Sequence, residues 1–483
     1  MTESPKPAPA SMTRHGNIVL AIVVLGTLMG SLDVTIVLLA FPTITSGLHS
    51  DLATSIWIIL VYLLVISITT TQVGRLGDLY GRSRMFNFGF AMFTVGSALC
   101  GLSNSIILLI AFRAAQALGG SIMQSNSGAI ISDVFPPNSR GRAFGYNALG
   151  WTIGAMLGIV LGGVITTFVG WQYIFFINIP IGVAAVFLGL RYVKDLARAK
   201  AKIDLFGMML LAVALTLFSL GATDFASEGL TILNAAMTIT GVILILAFVI
   251  YDRRLKGNSM IDFVAFKNRV LRNAVAASFF VSLGYFSVVF LLIMYLQGVR
   301  GLSPLDASVL LIPGYVVGSL LGPVMGRLSD KYGSREISTL GVVFLGVAVL
   351  IYLTLRADSS IYIVLVASAV SGVGSSMFYP ANTAAVMANV RAGSYGSISG
   401  LLRTLQNIGT LGSFVLALSV ASLSIPRDVA FQVFLGTISG GVSSEFVGGI
   451  DGALYVSLVI LVLAGFLSFL RGKETRFVNA AHV

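Results

Sequence analysis

The chain has 483 residues, of which 56% are hydrophobic and 10% charged, and its mean hydropathy is +0.95. Soluble globular proteins average about 45–50% apolar and about 25% charged residues, so this composition excludes a water-soluble, a disordered or a disulfide-rich protein. The formal charge of +11 is typical of a basic cytoplasmic face in a membrane protein rather than of nucleic-acid binding. The single cysteine, Cys100, excludes an internal disulfide and a cysteine-based metal cluster.

Apolar runs of helical length recur along the whole chain. A membrane-spanning helix needs about 20 apolar residues. In chain order, the fourteen runs cover residues 18–41, 56–74, 86–103, 106–131, 143–168, 174–191, 205–223, 232–251, 273–297, 308–328, 338–355, 361–388, 398–422 and 452–470. We therefore predict an all-α polytopic membrane protein with fourteen transmembrane helices. The segment 425–452, between the last two runs, is expected to be an external loop, with a hairpin or re-entrant element as the alternative.

The basic residues predict the orientation of the chain. With the N-terminus in the cytoplasm, the cytoplasmic segments hold 25 of the 30 lysines and arginines, and the external loops hold three. The remaining two, Arg113 and Arg403, fall within spans or at their ends. The positive-inside rule therefore places both termini in the cytoplasm, since fourteen spans return the chain to the side where it began.

A short motif occurs twice. Residues 74–84 read GRLGDLYGRSR and residues 326–335 read GRLSDKYGSR, each on a predicted cytoplasmic connection. Parallel repeats of this kind are typical of transporters built from two six-helix halves. Since the copies follow spans 2 and 10, two extra helices are expected between the halves. The predicted division is a cytoplasmic tail 1–17, a six-helix bundle 18–191, a linker with two extra helices 192–272, a second six-helix bundle 273–470 and a cytoplasmic tail 471–483.

Several motifs carry a resemblance to a known family. GRLGDLYGRSR is similar to the loop 2–3 signature of the major facilitator superfamily, and LDVTIVLLAFP at 32–42 resembles the first-helix motif of its fourteen-spanner drug:proton antiporters. RAAQALGG at 113–120 and the glycine ladder at 150–163 resemble the fourth- and fifth-helix motifs of that branch. The chain departs from these patterns at Leu38, Ala117 and Ile159, where Asn, Gly and Pro are usual. The resemblance implies the major facilitator fold, a plasma-membrane location, the proton gradient as energy source and no cofactor.

Asp33 is the only one of 19 acidic residues that falls well inside a predicted span. A charge there costs at least about 2.5–3.5 kcal/mol, which makes Asp33 a functional-site candidate. At 1.5 Å per residue, Asp33 lies ~12 Å before the outer end of span 1 and Arg113 lies ~10 Å after the outer start of span 4. Because the two reach a similar depth, we predict that they pair and couple proton movement to transport. A static ion pair that only holds two helices together is the alternative.

The two copies of the motif are predicted to gate the cytoplasmic side. Glycines allow the sharp turns between helices, and the charged side chains can form charge-assisted contacts between helix ends. The alternative is that these basic residues only keep the loops inside. The candidate gating residues are Gly74, Asp78, Gly81, Arg82, Gly326, Asp330, Gly333 and Arg335.

Two further sets of residues are candidates for packing or substrate contact. Gly150, Gly154, Gly158 and Gly162 form a smooth stripe on span 5, read either as a sliding seam between the halves or as ordinary helix packing. Polar and aromatic residues within spans are candidates for lining a substrate cavity, although helix–helix hydrogen bonding is the more common role of each. They are Tyr62, Gln116, Gln124, Asn126, Asn147, Tyr285, Tyr295, Gln297, Tyr315, Tyr379, Asn382, Gln406 and Asn407.

The main functional prediction is a secondary transporter that exports lipophilic, cationic compounds in exchange for protons by alternating access. Its partners would be the small-molecule substrate, protons and the lipid bilayer, with no nucleic acid, and it would act as a monomer. One alternative is a dedicated exporter of one metabolite, lipid or siderophore, and another is a non-transporting membrane receptor. The sequence contains no phosphate-binding loop of the GxxxxGK[ST] type and no metal-ligand spacing, which argues against an enzyme.

Overall fold

The computed structural model describes residues 14–194, 203–255, 265–390, 395–424 and 443–472. Within them, fourteen long helices follow one another along the chain. They are α1 Arg14–Gly47, α2 Trp57–Tyr80, α3 Arg82–Gly101, α4 Ile106–Val134, α5 Pro137–Phe168, α6 Asn178–Tyr192, α7 Leu205–Glu228, α8 Ile232–Arg254, α9 Arg269–Met294, α10 Pro304–Tyr332, α11 Ser334–Tyr352, α12 Tyr362–Ala388, α13 Tyr395–Ser424 and α14 Ser443–Phe469.

Short helical pieces extend three of these helices. One-turn helices Leu52–Ser55 and Tyr173–Phe176 precede α2 and α6, and α9 continues into a π-helical turn, Tyr295–Val299. Thirteen of the helices, counted with these pieces, are long and apolar enough to cross a membrane. Helix α3 has the length but is less apolar. That all fourteen cross the membrane therefore stays a prediction, as do the orientation of the termini and the predicted division into bundles and linker.

Several helices are longer than the apolar runs from which they were predicted. Helix α1 continues six residues past residue 41, and α2 continues to Tyr80. Polar residues can follow an apolar run within the same helix because helical hydrogen bonds also satisfy the backbone where it leaves the membrane. Helix α14 begins at Ser443, so the prediction that 443–452 belongs to a loop is wrong. Residues 425–442 lie outside the described residues.

Side-chain caps fix the starts of several helices. Ser105, Thr231 and Ser303 each accept a hydrogen bond from a backbone N–H group in the first turn of α4, α8 and α10. Such caps satisfy donors that a helix start otherwise leaves free. At the opposite side of the molecule, α2 meets α3 at Gly81 and α10 meets α11 at Gly333. We call the side that carries these two glycines the glycine-loop side and the opposite one the far side.

The helices pack as two groups, a first group of α1 to α6 and a second group of α9 to α14, which meet along several contacts. Helix α1 packs along α5, and α3 along α4; in the second group, α12 packs against α10 and α11. Between the groups, α5 packs against α10 and α2 against α13, while α7 lies against both α2 and α13. Buried aromatic rings join the groups on the far side, where Phe290 of α9 lies 5.5 Å from both Phe41 of α1 and Phe414 of α13.

Candidate functional site

A buried ion pair lies at the centre of the first helix group. Asp33 of α1 and Arg113 of α4 are 0% and 1% exposed, and Nη1 of Arg113 donates to Oδ2 of Asp33 at 2.6 Å. The pairing that depth predicted is therefore present, although α1 extends farther beyond Asp33 than expected. Because a guanidinium and a carboxylate are costly to bury alone, each compensates the desolvation of the other.

Amide side chains complete the coordination of the Asp33 carboxylate. Gln116, one turn after Arg113 on α4, donates from Nε2 to Oδ1 of Asp33 at 2.8 Å and accepts from Nη1 of Arg113 at 2.7 Å. Asn178 at the start of α6 donates to the same Oδ1 at 3.3 Å and to Oγ of Ser97 on α3 at 3.0 Å. Both carboxylate oxygens therefore accept hydrogen bonds, and four helices of the first group share the network.

The Arg113 side chain is held on its other sides as well. Its Nε donates to the carbonyl oxygen of Ile58 at 3.3 Å, and its guanidinium carbon lies 4.2 Å from the ring centroid of Tyr62 on α2. A guanidinium over an aromatic face gains a cation–π attraction, which is strongest where water is excluded. Tyr62 and Gln116, predicted to line a cavity, thus belong to the network of the ion pair.

The first glycine loop carries a three-residue charge cluster. Arg82 at the start of α3 lies 2.7 Å from Oδ1 of Asp78 on α2 and 2.6 Å from Oδ1 of Asp133 at the end of α4. The cluster joins three helix ends at the glycine-loop side. Sequence reasoning predicted Asp78 and Arg82 as partners but missed Asp133, which is adjacent in space only because α4 returns to this side.

Glycine is required at two of the four predicted loop positions. Gly81 and Gly333 have φ angles of +110° and +109°, a region that side chains with a Cβ rarely adopt. A Cβ at Gly74 would only touch Ser125 at 3.6 Å, and one at Gly326 would meet nothing within 4 Å. In the second loop, the guanidinium of Arg335 lies 4.6 Å from the ring centroid of Phe469. The side chain of Asp330 lies outside the described residues.

The glycine stripe of α5 faces α1. A Cβ at Gly154 would lie 2.9 Å from Cα of Leu28, and one at Gly158 would lie 2.6 Å from the carbonyl oxygen of Leu32. Gly150 and Gly162 likewise approach Val24 and Ile36 of α1. The interpretation of this stripe as a seam between the halves is therefore wrong for these four glycines, because α5 turns its smooth face towards its own group.

Hydroxyl groups reinforce the contact between α1 and α5. Thr27 donates to Oδ1 of Asn147 at 2.6 Å, Ser31 to the carbonyl oxygen of Trp151 at 2.7 Å, and Thr35 to that of Ala155 at 3.1 Å. The three bonds recur at intervals of four residues on both helices, which is the spacing of one helix face. Asn147, a predicted cavity residue, is thus tied to α1.

Some of the other predicted cavity residues form side-chain hydrogen bonds, and others do not among the described residues. Asn126, Tyr295, Asn382 and Gln406 each donate a hydrogen bond to a backbone or side-chain oxygen. By contrast, Oε1 of Gln124 and Nδ2 of Asn407 are buried without a partner among the described residues. Within that same part of the chain, the side chains of Tyr315 and Tyr379 also make no hydrogen bond, and Tyr285 lies beside Ser371.

The two helix groups touch on both sides of the molecule. On the far side, Nε2 of Gln297 in the turn after α9 donates to the carbonyl oxygen of Leu39 on α1 at 3.0 Å. On the glycine-loop side, the hydroxyl oxygens of Thr71 on α2 and Thr404 on α13 are 2.8 Å apart. There the guanidinium carbon of Arg403 also lies 5.1 Å from the ring centroid of Trp151. The two groups are therefore in contact on both sides.

A family model and several similar proteins assign the chain to one family. The family model described as Major Facilitator Superfamily matches residues 23–413. The chain is 34% identical to the riboflavin transporter RibZ of Clostridioides difficile over 86% of this chain and 89% of that protein. It is 30% identical to multidrug resistance protein 3 of Bacillus subtilis, over 80% of this chain and 76% of that protein. It is also 30% identical to the tetracenomycin C resistance and export protein of Streptomyces glaucescens, over 94% and 91%.

A solved structure shares the fold at low sequence identity. An inward-facing bacterial homologue of the human lysosomal transporter Spinster aligns with a TM-score of 0.67 and 16% identity, over 95% of this chain and 98% of that chain. At this identity the likeness shows that the two chains share a fold.

Proposed function

Because the chain belongs to the major facilitator superfamily, whose members are transporters rather than enzymes, we propose that it exports lipophilic small molecules in exchange for protons by alternating access. Relatives named as a multidrug resistance protein and as a tetracenomycin C resistance and export protein support the export direction. We propose further that the glycine-loop side is cytoplasmic, that the membrane is the plasma membrane, and that the protein works as a monomer without cofactor or nucleic acid.

The observation that carries the proposal is the closed network around Asp33. Protonation of Asp33 removes the negative charge that holds Arg113, Gln116 and Asn178 in place. Since these partners belong to α4 and α6, proton uptake on α1 changes how three helices of one group are joined. Loss of the proton restores the network. In this mechanism a proton and a change in helix packing are linked through one carboxylate.

The contacts on the two sides would act as alternating gates. The contact between Thr71 and Thr404 would close the glycine-loop side, and the Arg82 cluster would hold three helix ends of the first group together beside it. The bond from Gln297 to Leu39 closes the far side. Alternating access requires that each set opens while the other holds, which is a rocking motion of one helix group against the other.

The test is substrate-dependent proton movement in proteoliposomes. The compounds are rhodamine 123, riboflavin and fluorescein, which are cationic, neutral and anionic. The parent is compared with Asp33→Asn, with Asp33→Asn combined with Arg113→Gln, and with Asp51→Asn as a control at an exposed helix cap. We expect at least one compound to release protons in the parent and in the control but not in the two Asp33 variants. An undiminished signal without Asp33 would make the pair purely structural.

A dedicated exporter is the second candidate. The riboflavin transporter at 34% identity is the observation that favours it, since it covers most of both chains. A dedicated exporter would exchange protons for one of the three compounds, with saturable kinetics, and would not transport the other two. That the substrates are cations stays a prediction. Both oxygens of the Asp33 carboxylate already accept hydrogen bonds, so this carboxylate is not free to bind a cation.

A further inference from the structure

Arg403 is a cation at the contact between the two helix groups. It lies on α13, half-buried, with its guanidinium carbon 5.1 Å from the ring centroid of Trp151 on α5. Among the described residues, no carboxylate oxygen lies within 4 Å of it. The sequence contains no Asp or Glu in 395–424, in 362–388 or in 137–168, the segments that form α13, α12 and α5. Arg113 pairs with the buried Asp33, whereas Arg403 has no acidic partner among the described residues.

Two groups able to form hydrogen bonds lie near this cation, one on α12 and one a turn away on α13. Tyr379 of α12 is its electrostatic neighbour, and that hydroxyl has no hydrogen-bond partner in the described part of the chain. Asn407 lies one turn after Arg403 on α13, and its Nδ2 is buried and unpartnered within the same residues. A buried amide group without a partner costs free energy unless a ligand satisfies it.

A further acceptor lies at a matching depth. Gln124 is on α4, a helix that contacts α13, and its Oε1 is buried without a partner among the described residues. At 1.5 Å per residue, Arg403, Tyr379, Gln124 and Asn407 lie about 12 to 18 Å from the glycine-loop ends of their helices. A similar depth on α4, α12 and α13 is the condition for these residues to contact a single small molecule between the groups. We call Trp151, Tyr379, Arg403, Asn407 and Gln124 the Arg403 surface.

We propose that the Arg403 surface binds planar aromatic compounds that carry an anionic or hydrogen-bonding group, and that it disfavours cations. This inference rests on the proposed export function and names its substrate class. A planar ring can stack on the indole of Trp151 and the guanidinium of Arg403, which is itself planar. A carboxylate on such a ring receives two parallel N–H donors from Arg403. A cationic ring of the same shape meets a like charge that no acid among the described residues compensates, so specificity has a repulsive as well as an attractive part.

The experiment uses two dyes that share the xanthene ring and differ in charge. Fluorescein is anionic and rhodamine 123 cationic, and binding of each to the purified full-length protein in detergent is followed by fluorescence polarisation. The variants are Arg403→Gln, Arg403→Lys, Asn407→Leu and, as a control for the loss of one positive charge, Arg253→Gln at an exposed helix end. A thermal unfolding midpoint for each variant verifies its fold.

We expect the parent to bind fluorescein about tenfold or more tightly than rhodamine 123, the ratio that one charge-assisted hydrogen bond supplies. Arg403→Gln should remove this preference, Arg403→Lys should keep part of it, and Arg253→Gln should keep all of it. Asn407→Leu should weaken both dyes and keep their ratio. A parent that prefers rhodamine 123, or fluorescein binding that is unchanged in Arg403→Gln, overturns the inference.

Failure of this inference and failure of the proposed function give different results. Proton release with rhodamine 123, in a protein that does not bind fluorescein, would overturn the substrate class and retain proton-coupled export. Fluorescein binding that depends on Arg403, without proton release for any compound, would retain the surface and overturn export by proton exchange.

Discussion

Because Asp33 and Arg113 are buried, each residue depends on the other to compensate its charge. Both side chains are almost fully buried, and neither carboxylate oxygen is free. Removing one partner of such a pair leaves an uncompensated charge, which typically costs about 3–5 kcal/mol. Removing both leaves neutral groups of similar shape, which can be tolerated.

A double-mutant cycle tests this dependence. We expect Asp33→Asn and Arg113→Gln each to lower the thermal unfolding midpoint, and the double variant to recover part of the loss, because no unpaired charge then remains. Tryptophan fluorescence during heating in detergent measures the midpoint. If the two losses simply add, the two residues do not compensate each other and the ion pair does not stabilise the fold.

Sequence reasoning predicted the ion pair and missed part of its surroundings for a physical reason. A charge inside an apolar run is rare, so Asp33 and Arg113 stand out, and helix rise alone places them at one depth. Asn178 and Ser97 carry no charge, and short polar residues are ordinary in membrane helices. Their role depends on the packing of α6 and α3 against α1, which no spacing along the chain reveals.

At the scale of helices, α1 and α5 form one unit. Three hydroxyl bonds and the glycine stripe bring the helices close enough for side chains of one to bond the backbone of the other. The four-residue period of the glycines is visible in the sequence, but the helix against which they pack is not. A face made of glycines fits any neighbouring helix equally well. Asp33 lies on the stretch of α1 that forms this contact, between Ser31 and Thr35.

Substitution in the stripe tests the contact. In Gly158→Ala, the new Cβ would lie 2.6 Å from the carbonyl oxygen of Leu32, and the helices would have to separate. Overpacking of this kind costs about 1–3 kcal/mol, so we expect a lower thermal unfolding midpoint. Gly145→Ala is the matched control on the same helix, because a Cβ there meets nothing within 4 Å. A Gly158 variant as stable as the control would show that α1 does not pack closely here.

At the scale of the whole molecule, the two helix groups touch on both sides, and alternating access must break these contacts in turn. The helix groups are joined on the far side by Gln297 and Leu39, and on the glycine-loop side by Thr71 and Thr404. A transporter that passes through this state must release one contact at a time. Fixing a contact between the groups should therefore stop the cycle, whereas fixing a contact within one group should not.

Paired cysteines separate these two cases. Thr71→Cys with Thr404→Cys places a cysteine pair between the groups, where the parent hydroxyls are 2.8 Å apart. Thr69→Cys with Ser121→Cys places an equivalent pair within the first group, from hydroxyls 2.7 Å apart. Cys100 is buried and common to all variants. After cross-linking with a short thiol-specific reagent, we expect dye transport to stop in the first variant, to return on reduction, and to continue throughout in the second. Undiminished transport across a completed cross-link between α2 and α13 would mean that the glycine-loop side opens elsewhere, and the rocking motion would have to pivot on this contact instead of breaking it.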